Sequence, residues 1–308
     1  MMSAAPGHTR SGALVLGFGG VLGFSLTVPV TQYALPAFGP QLVGPGRALV
    51  AALVAVPLLL ARRWPPVPPL RHLPSVAVVA VGSVIGFPLL TAHALTTVSA
   101  GHAAVVLALL PAATAVMAAV RAGERPAGAF WFWCLLGTAL VAGYLVSRAD
   151  SRFGVGDLEL LAAVVLCALG YAEGGVLSRT HPGWVVTSWA LVIGSPLVLG
   201  LVLAVGIPAR STITVGALAA FAYLAVGSSL LAFFAWYRAL ALGGIATVGQ
   251  VQLLQPVLTI GLAWILLDQP LDPVLIGVGV LVALAVYRAQ RTRRPAAETR
   301  PTDEQARG

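Results

Sequence analysis

The chain has 308 residues, of which 58% are hydrophobic and 9% charged, with a mean hydropathy of +0.93. A soluble protein of this length carries about a quarter charged residues, so this composition excludes a water-soluble globular protein and points to a lipid bilayer. The net charge of +8 rests on 18 arginines and no lysine, set in short gaps and in the C-terminal tail; that pattern reads as topology anchoring and not as a nucleic-acid surface.

Apolar runs of roughly 20 residues, enough to cross about 30 Å of hydrocarbon at about 1.5 Å per residue, predict about ten membrane helices. In chain order they are Gly12–Gln32, Gln41–Ala61, Pro74–Leu95, Gly101–Arg121, Gly128–Val146, Leu158–Leu177, Trp184–Val205, Val215–Leu240, Thr247–Leu267 and Pro273–Ala289. The first is a span and not a cleaved signal, because Pro29, Gln32 and Pro36 stand where a small-residue cleavage site would follow. Fourteen arginines fall on the side of the termini (Arg10, the exits of the even-numbered spans, and the tail), against four (Arg47, Arg148, Arg152, Arg210) elsewhere. The positive-inside rule then predicts an inner (plasma) membrane protein with both termini cytoplasmic. Cys134 and Cys167 fall inside spans and read as core packing.

Residues Val81 to Pro126 reappear in altered letters as Val226 to Leu271, at a constant offset of 145. Val81-Gly82-Ser83 matches Val226-Gly227-Ser228, Pro111 matches Pro256, and Thr114 matches Thr259. Because five spans separate the copies, the second runs through the membrane in the opposite sense, the inverted repeat found in many secondary transporters. The expected fold is an all-α polytopic membrane protein of two inverted five-helix repeats. Its parts are a cytoplasmic tail (1–11), a first repeat (12–147), a linker (148–157), a second repeat (158–289) and a disordered cytoplasmic tail (290–308).

Leu109-Leu110-Pro111 followed by Gly123-Glu124-Arg125-Pro126 resembles the fourth helix of the drug/metabolite transporter superfamily, in its EamA-type ten-helix branch. Leu254-Gln255-Pro256 with Leu267-Asp268-Gln269-Pro270 is similar to the ninth-helix copy, with Gln255 and Asp268-Gln269 departing from the usual Glu and Gly-Glu. Phe234 to Leu240 resembles the aromatic eighth-helix signature, and Gly46-Arg47-Ala48 the arginine of helix two. The resemblance covers nearly the whole chain and implies a carrier of small metabolites, often an exporter of amino acids or related compounds.

Glu173 is the one acid deep in a span, where a carboxylate costs on the order of 3 kcal/mol unless protonated or paired. It is either a proton or cation coupling site, or a carboxyl satisfied by a neighbouring helix. Arg47, about 6 residues below the outer face, is read as snorkelling outward, too far from Glu173 to pair with it. Gln250, Gln252 and Gln255 put polar groups into an apolar span, and Gln252 and Gln255 share a helix face that must meet protein or a wet cavity. They either bind substrate or join helices.

Pro111 and Pro256 are expected to kink their helices and free the carbonyls of Leu107 and Gln252. Trp236, His93 and Ser25 complete the candidate substrate contacts. Trp236, with Tyr237, also fits an interfacial aromatic belt, and His93 a helix-to-helix hydrogen bond. Tyr171 and Glu173 point to nearly opposite faces, so both cannot easily line one cavity. Gly19 with Gly23, and Gly82 with Gly86, are expected at close helix contacts.

Positions where the copies agree read as shared scaffold. Positions where they diverge, Leu110/Gln255, Leu107/Gln252 and His93/Arg238, read as the asymmetry a substrate needs. No hydrolase, zinc-protease or Walker motif occurs, so neither an enzyme nor a cofactor is expected. The expected partners are a small-molecule substrate, the lipid bilayer and protons or another coupling ion; a homodimer is compatible with the sequence. The alternative from another class is a non-transporting scaffold or receptor.

Overall fold

The computed structural model describes residues 6–98, 103, 106–147, 154–206, 213–267 and 273–291. The expected linker arginines, the Asp268-Gln269-Pro270 motif and the C-terminal tail lie outside the described residues. Among those described, all regular structure is helical. Five helical stretches are long and apolar enough to cross a membrane: Ser11–Ala61, Leu70–Ala94, Val155–Leu177, Gly183–Ala204 and Val215–Gly243. Leu110–Ala122, Gly128–Tyr144 and Ile276–Ala289 are shorter apolar helices. Large apolar side chains such as Leu53, Phe132 and Leu203 face outward, as a lipid-facing surface requires.

The first stretch is 51 residues long, more than one crossing needs. It runs past the expected end at Gln32 as far as Phe38 and breaks at Gly39, whose φ of +69° suits a residue without Cβ. Proline is responsible for a second irregularity. Pro29 has no N–H to offer the carbonyl of Ser25, four residues earlier, and the helix that begins at Pro6 stops at Ser25 before resuming at Thr27.

The offset of 145 recurs in the backbone. Leu110–Ala122 and Gln255–Leu267 begin and end 145 residues apart, as do Gly128–Val146 and Pro273–Arg291. The wide π-helical turn Ala80–Gly86 also has a counterpart, in Tyr223–Ala232, and each holds one copy of Val-Gly-Ser.

Missing side chains set the helix spacing. A Cβ on Gly82 would stand 2.4 Å from the Leu166 carbonyl, and one on Gly170 2.3 Å from Ser83 Oγ, so these two backbones touch. Gly23 likewise abuts Ala232, at 2.8 Å for its added Cβ, and Gly20 abuts Ala232 and Trp236. Gly19, paired with Gly23 by spacing alone, meets nothing within 4 Å; the contact face is Gly20 and Gly23, three residues apart.

Trp236 and Tyr237 are fully buried, so they form no interfacial belt. The helix continues beyond them to Gly243. Gly174 leaves room for the Tyr237 ring, while Phe24 and Tyr171 pack on Trp236.

One end of the bundle is joined by carboxylates. The Leu110–Ala122 helix stops at Gly123, φ +64°, and the next residue, Glu124, reaches across to the start of the Ile245–Gly249 helix. Its two oxygens accept the N–H groups of Ile245 and Ala246 at 2.8 and 2.9 Å, and Arg179 donates to it at 3.0 Å. Negative charge at a helix N-terminus is favourable, and the motif's Glu is thereby a cap. Trp64, Trp189, His72 and His181 stack nearby edge to face or tilted. Partial burial, then the neighbouring His72, holds the His181 imidazole below its ordinary value.

Two consequences are measurable by thermal unfolding in detergent. Gly82→Ala overpacks the contact with Leu166 and Gly170 and lowers stability by about 1–3 kcal/mol, whereas Gly19→Ala, on an open helix face, leaves it unchanged or raises it by up to about 1 kcal/mol. Glu124→Ala strands two backbone donors and costs about 1–2 kcal/mol, with Glu124→Gln losing less.

Candidate functional site

The breaks in the helices surround a cavity of about 260 Å³. Both copies of the repeat contribute to its wall. Phe24, Thr27, Thr31 and Arg47 come from the first stretch, Ser83 and Thr91 from the next, and Tyr171, Ser228, Phe233, Gln252 and Gln255 from the second half. Among the described residues, no carboxylate lines it.

Gln252 and Gln255 both line it, as do Pro111 and Pro256. Gln252 Nε2 donates to the Tyr171 hydroxyl at 3.3 Å, and Gln255 Nε2 reaches the Phe24 carbonyl at 3.5 Å. Gln250, on another face, donates to the Pro111 carbonyl at 3.3 Å and so ties one copy to the other. The Ser25 carbonyl left without a helical donor by Pro29 accepts the Thr259 hydroxyl.

The prolines act differently from simple kinks. Each stands second in a new helix, Leu110–Ala122 or Gln255–Leu267, where a missing N–H has no helical acceptor to lose. The break before Pro256 is a tight 3-10 turn, Gln250–Leu254. The Gln252 carbonyl expected to be free accepts the Gln255 N–H instead.

Three candidates lie off the cavity wall. Ser25 turns its hydroxyl back to the Val21 carbonyl at 2.7 Å and is buried. Trp236 is enclosed in the core, its indole N–H without a partner among the described residues. The His93 side chain is 53% exposed and pairs with Glu159 at 2.7 Å, an interhelical contact off the wall.

Glu173 also lies off the wall, one turn from the end of the Val155–Leu177 helix. The premise of a deep, cavity-facing carboxylate does not hold. Arg121 grips one of its oxygens through Nε and Nη2 at 3.1 and 2.9 Å, and Ser75 donates to the other at 2.6 Å.

Arg47 does not snorkel. It opens the Arg47–Ala61 helix directly after the π-helical turn Leu42–Gly46, and that turn packs so closely on Pro88 and Leu89 that Gly44 has no space for a Cβ. The side chain lies on the cavity wall at 5% exposure. No acidic side chain pairs with it among the described residues, and its Nε has no hydrogen-bond partner there.

Ser83 and Ser228, not singled out from sequence, both line the cavity and are 145 residues apart. Thr27 shares a 2.8 Å hydrogen bond with Ser228. The available signal was the repeat itself, in its matched Val-Gly-Ser. Agreement between copies therefore does not mark scaffold alone: the matched serines and prolines line the cavity, as do the divergent Leu107/Gln252 and Leu110/Gln255. The divergent pair His93/Arg238 does not.

Comparison with known proteins agrees with this architecture. The fold is shared with a crystallised protein at a TM-score of 0.76 and 21% identity, over 92% of this chain and 100% of that one. The chain is 45% identical over 275 residues to the uncharacterized transporter YdeK of Bacillus subtilis (strain 168), covering 89% of this chain and 96% of that protein. It is 25% identical over 286 residues to a probable terminal-alkyne amino-acid exporter of Streptantibioticus cattleyicolor, covering 91% and 94%. The model of the EamA-like transporter family matches twice, at residues 11–148 and 154–288, and the chain is a multi-pass membrane protein belonging to that family.

Proposed function

We propose that this protein is a secondary transporter that exports small metabolites, such as amino acids or related compounds, by alternating access between two inverted five-helix repeats. The observation that carries this reading is the cavity itself, walled by both copies and lined by Pro111 and Pro256 at the starts of their helices. Unwound backbone beside polar side chains at mid-span is how transporters of this architecture hold solutes. Both termini lie in the cytoplasm of the inner membrane by the arginine distribution. The Arg121–Glu173 and Arg179–Glu124 pairs then sit at the cytoplasmic end and must separate for access from that side.

The same pairing favours a latch over a coupling role for Glu173. Two N–H groups of Arg121 and the Ser75 hydroxyl occupy both oxygens of its carboxylate. The probable amino-acid exporter among the relatives supports amino acids as the first solutes to try.

Purified protein in proteoliposomes is expected to move at least one member of a panel of amino acids, purines and cationic drugs, tested with and without a pH gradient. No movement of any solute by a well-folded preparation would favour a scaffold. Gln252→Leu removes a polar group from the cavity wall and is expected to slow transport on the order of tenfold, the equivalent of one hydrogen bond. Glu173→Gln is expected to leave the dependence on the pH gradient unchanged; loss of that dependence restores the coupling role.

A further inference from the structure

We infer that Arg47 is the counter-ion of the substrate, and that the substrate is a small organic molecule with a carboxylate at one end and an apolar, often aromatic, body. This rests on the reading of the cavity as the transport site and specifies what that site takes. Arg47 lies on the wall at 5% exposure, has no acidic partner, and leaves Nε without a hydrogen bond among the described residues. A buried guanidinium is normally paired, and an unpaired one inside a membrane protein marks a pathway.

The groups around it fit the same ligand. Thr91, 6% exposed, brings to the same wall a hydroxyl without a partner among the described residues, a donor that a carboxylate can use. The wall also carries apolar and aromatic side chains, among them Phe24, Phe87, Phe233 and Val28, available to an apolar body. The planar fork of arginine matches the two oxygens of a carboxylate. A single fixed positive charge balances a single negative one, and with no carboxylate on the wall among the described residues a purely cationic solute meets repulsion without a counter-ion.

The test is binding to the full-length protein in detergent, followed by counterflow in proteoliposomes, with four probes of one shape: 3-phenylpropionate, 3-phenylpropanamide, 3-phenylpropylamine and 3-phenylpropyl phosphate. Wild-type protein is expected to bind the carboxylate at least about tenfold tighter than the amide or the amine, a tenfold ratio being about 1.4 kcal/mol. Arg47→Met is expected to erase that preference while its melting midpoint stays equal or rises, because an unpaired buried charge has been removed; Arg47→Lys keeps part of the preference. Equal binding of carboxylate and amide, a tighter phosphate than carboxylate, or no binding of any probe by wild-type protein overturns the proposal, and the first two need no variant to fold. A carboxylate preference that persists in well-folded Arg47→Met overturns it too. If amide or amine is transported without any carboxylate preference, the transporter reading stands and the anion assignment falls. If the carboxylate binds through Arg47 but no probe crosses the membrane, the assignment stands and the transporter reading falls.

Discussion

Hydrocarbon offers no hydrogen bonds, and this constraint organises the irregular parts of the molecule. A continuous helix satisfies its own backbone; each interruption must be satisfied by a tighter local turn, from another helix or from a wet cavity. The interruption at Pro29 leaves the Ser25 carbonyl to Thr259. That before Pro256 closes as a 3-10 turn, in which the Gln255 N–H takes the Gln252 carbonyl. The first half of the chain is thereby bonded to the second where the first is broken, the second half's break closes on itself, and residues beside both line the cavity.

Glycine supplies the complementary condition. Where Gly82 meets Gly170, and Gly20 and Gly23 meet Ala232, helix backbones approach without side chains between them. In lipid, helices associate through such packing and through polar contacts, since burying apolar surface gains little against an apolar solvent. The buried Tyr237 illustrates both, with its ring over Gly174 and its hydroxyl within 3.3 Å of Ser83 and of the Gly170 carbonyl.

The helical class, the membrane setting and the duplication were legible in the letters, because apolar length and a fixed offset are one-dimensional properties. Depth and direction were not. Arg47 was placed by counting residues from an expected boundary, whereas the first helix runs on to Phe38, breaks at Gly39 and returns through a π-helical turn that carries the arginine inward. Glu173 looked deep when counted from one face but is a single turn from the other end, within reach of Arg121. Trp236 was assigned to an interface by its nearness to an expected helix end, which in fact lies further on at Gly243. The glutamines of the ninth span were legible because apolar surroundings on every side leave an amide no exit to water. The serines of the Val-Gly-Ser pair carried a signal only in their shared offset.

The unpaired guanidinium of Arg47 also has an electrical meaning. Under the proposed alternating access, a fixed charge in the cavity senses the membrane potential, and carrying one elementary charge across the whole field is worth about 2.3 kcal/mol per 100 mV. A bound monoanion cancels that charge. The loaded carrier would then reorient almost indifferently to voltage, while the unloaded carrier would be drawn toward the negative side of the membrane, so the potential would act on the return half of the cycle and not on the half that moves cargo.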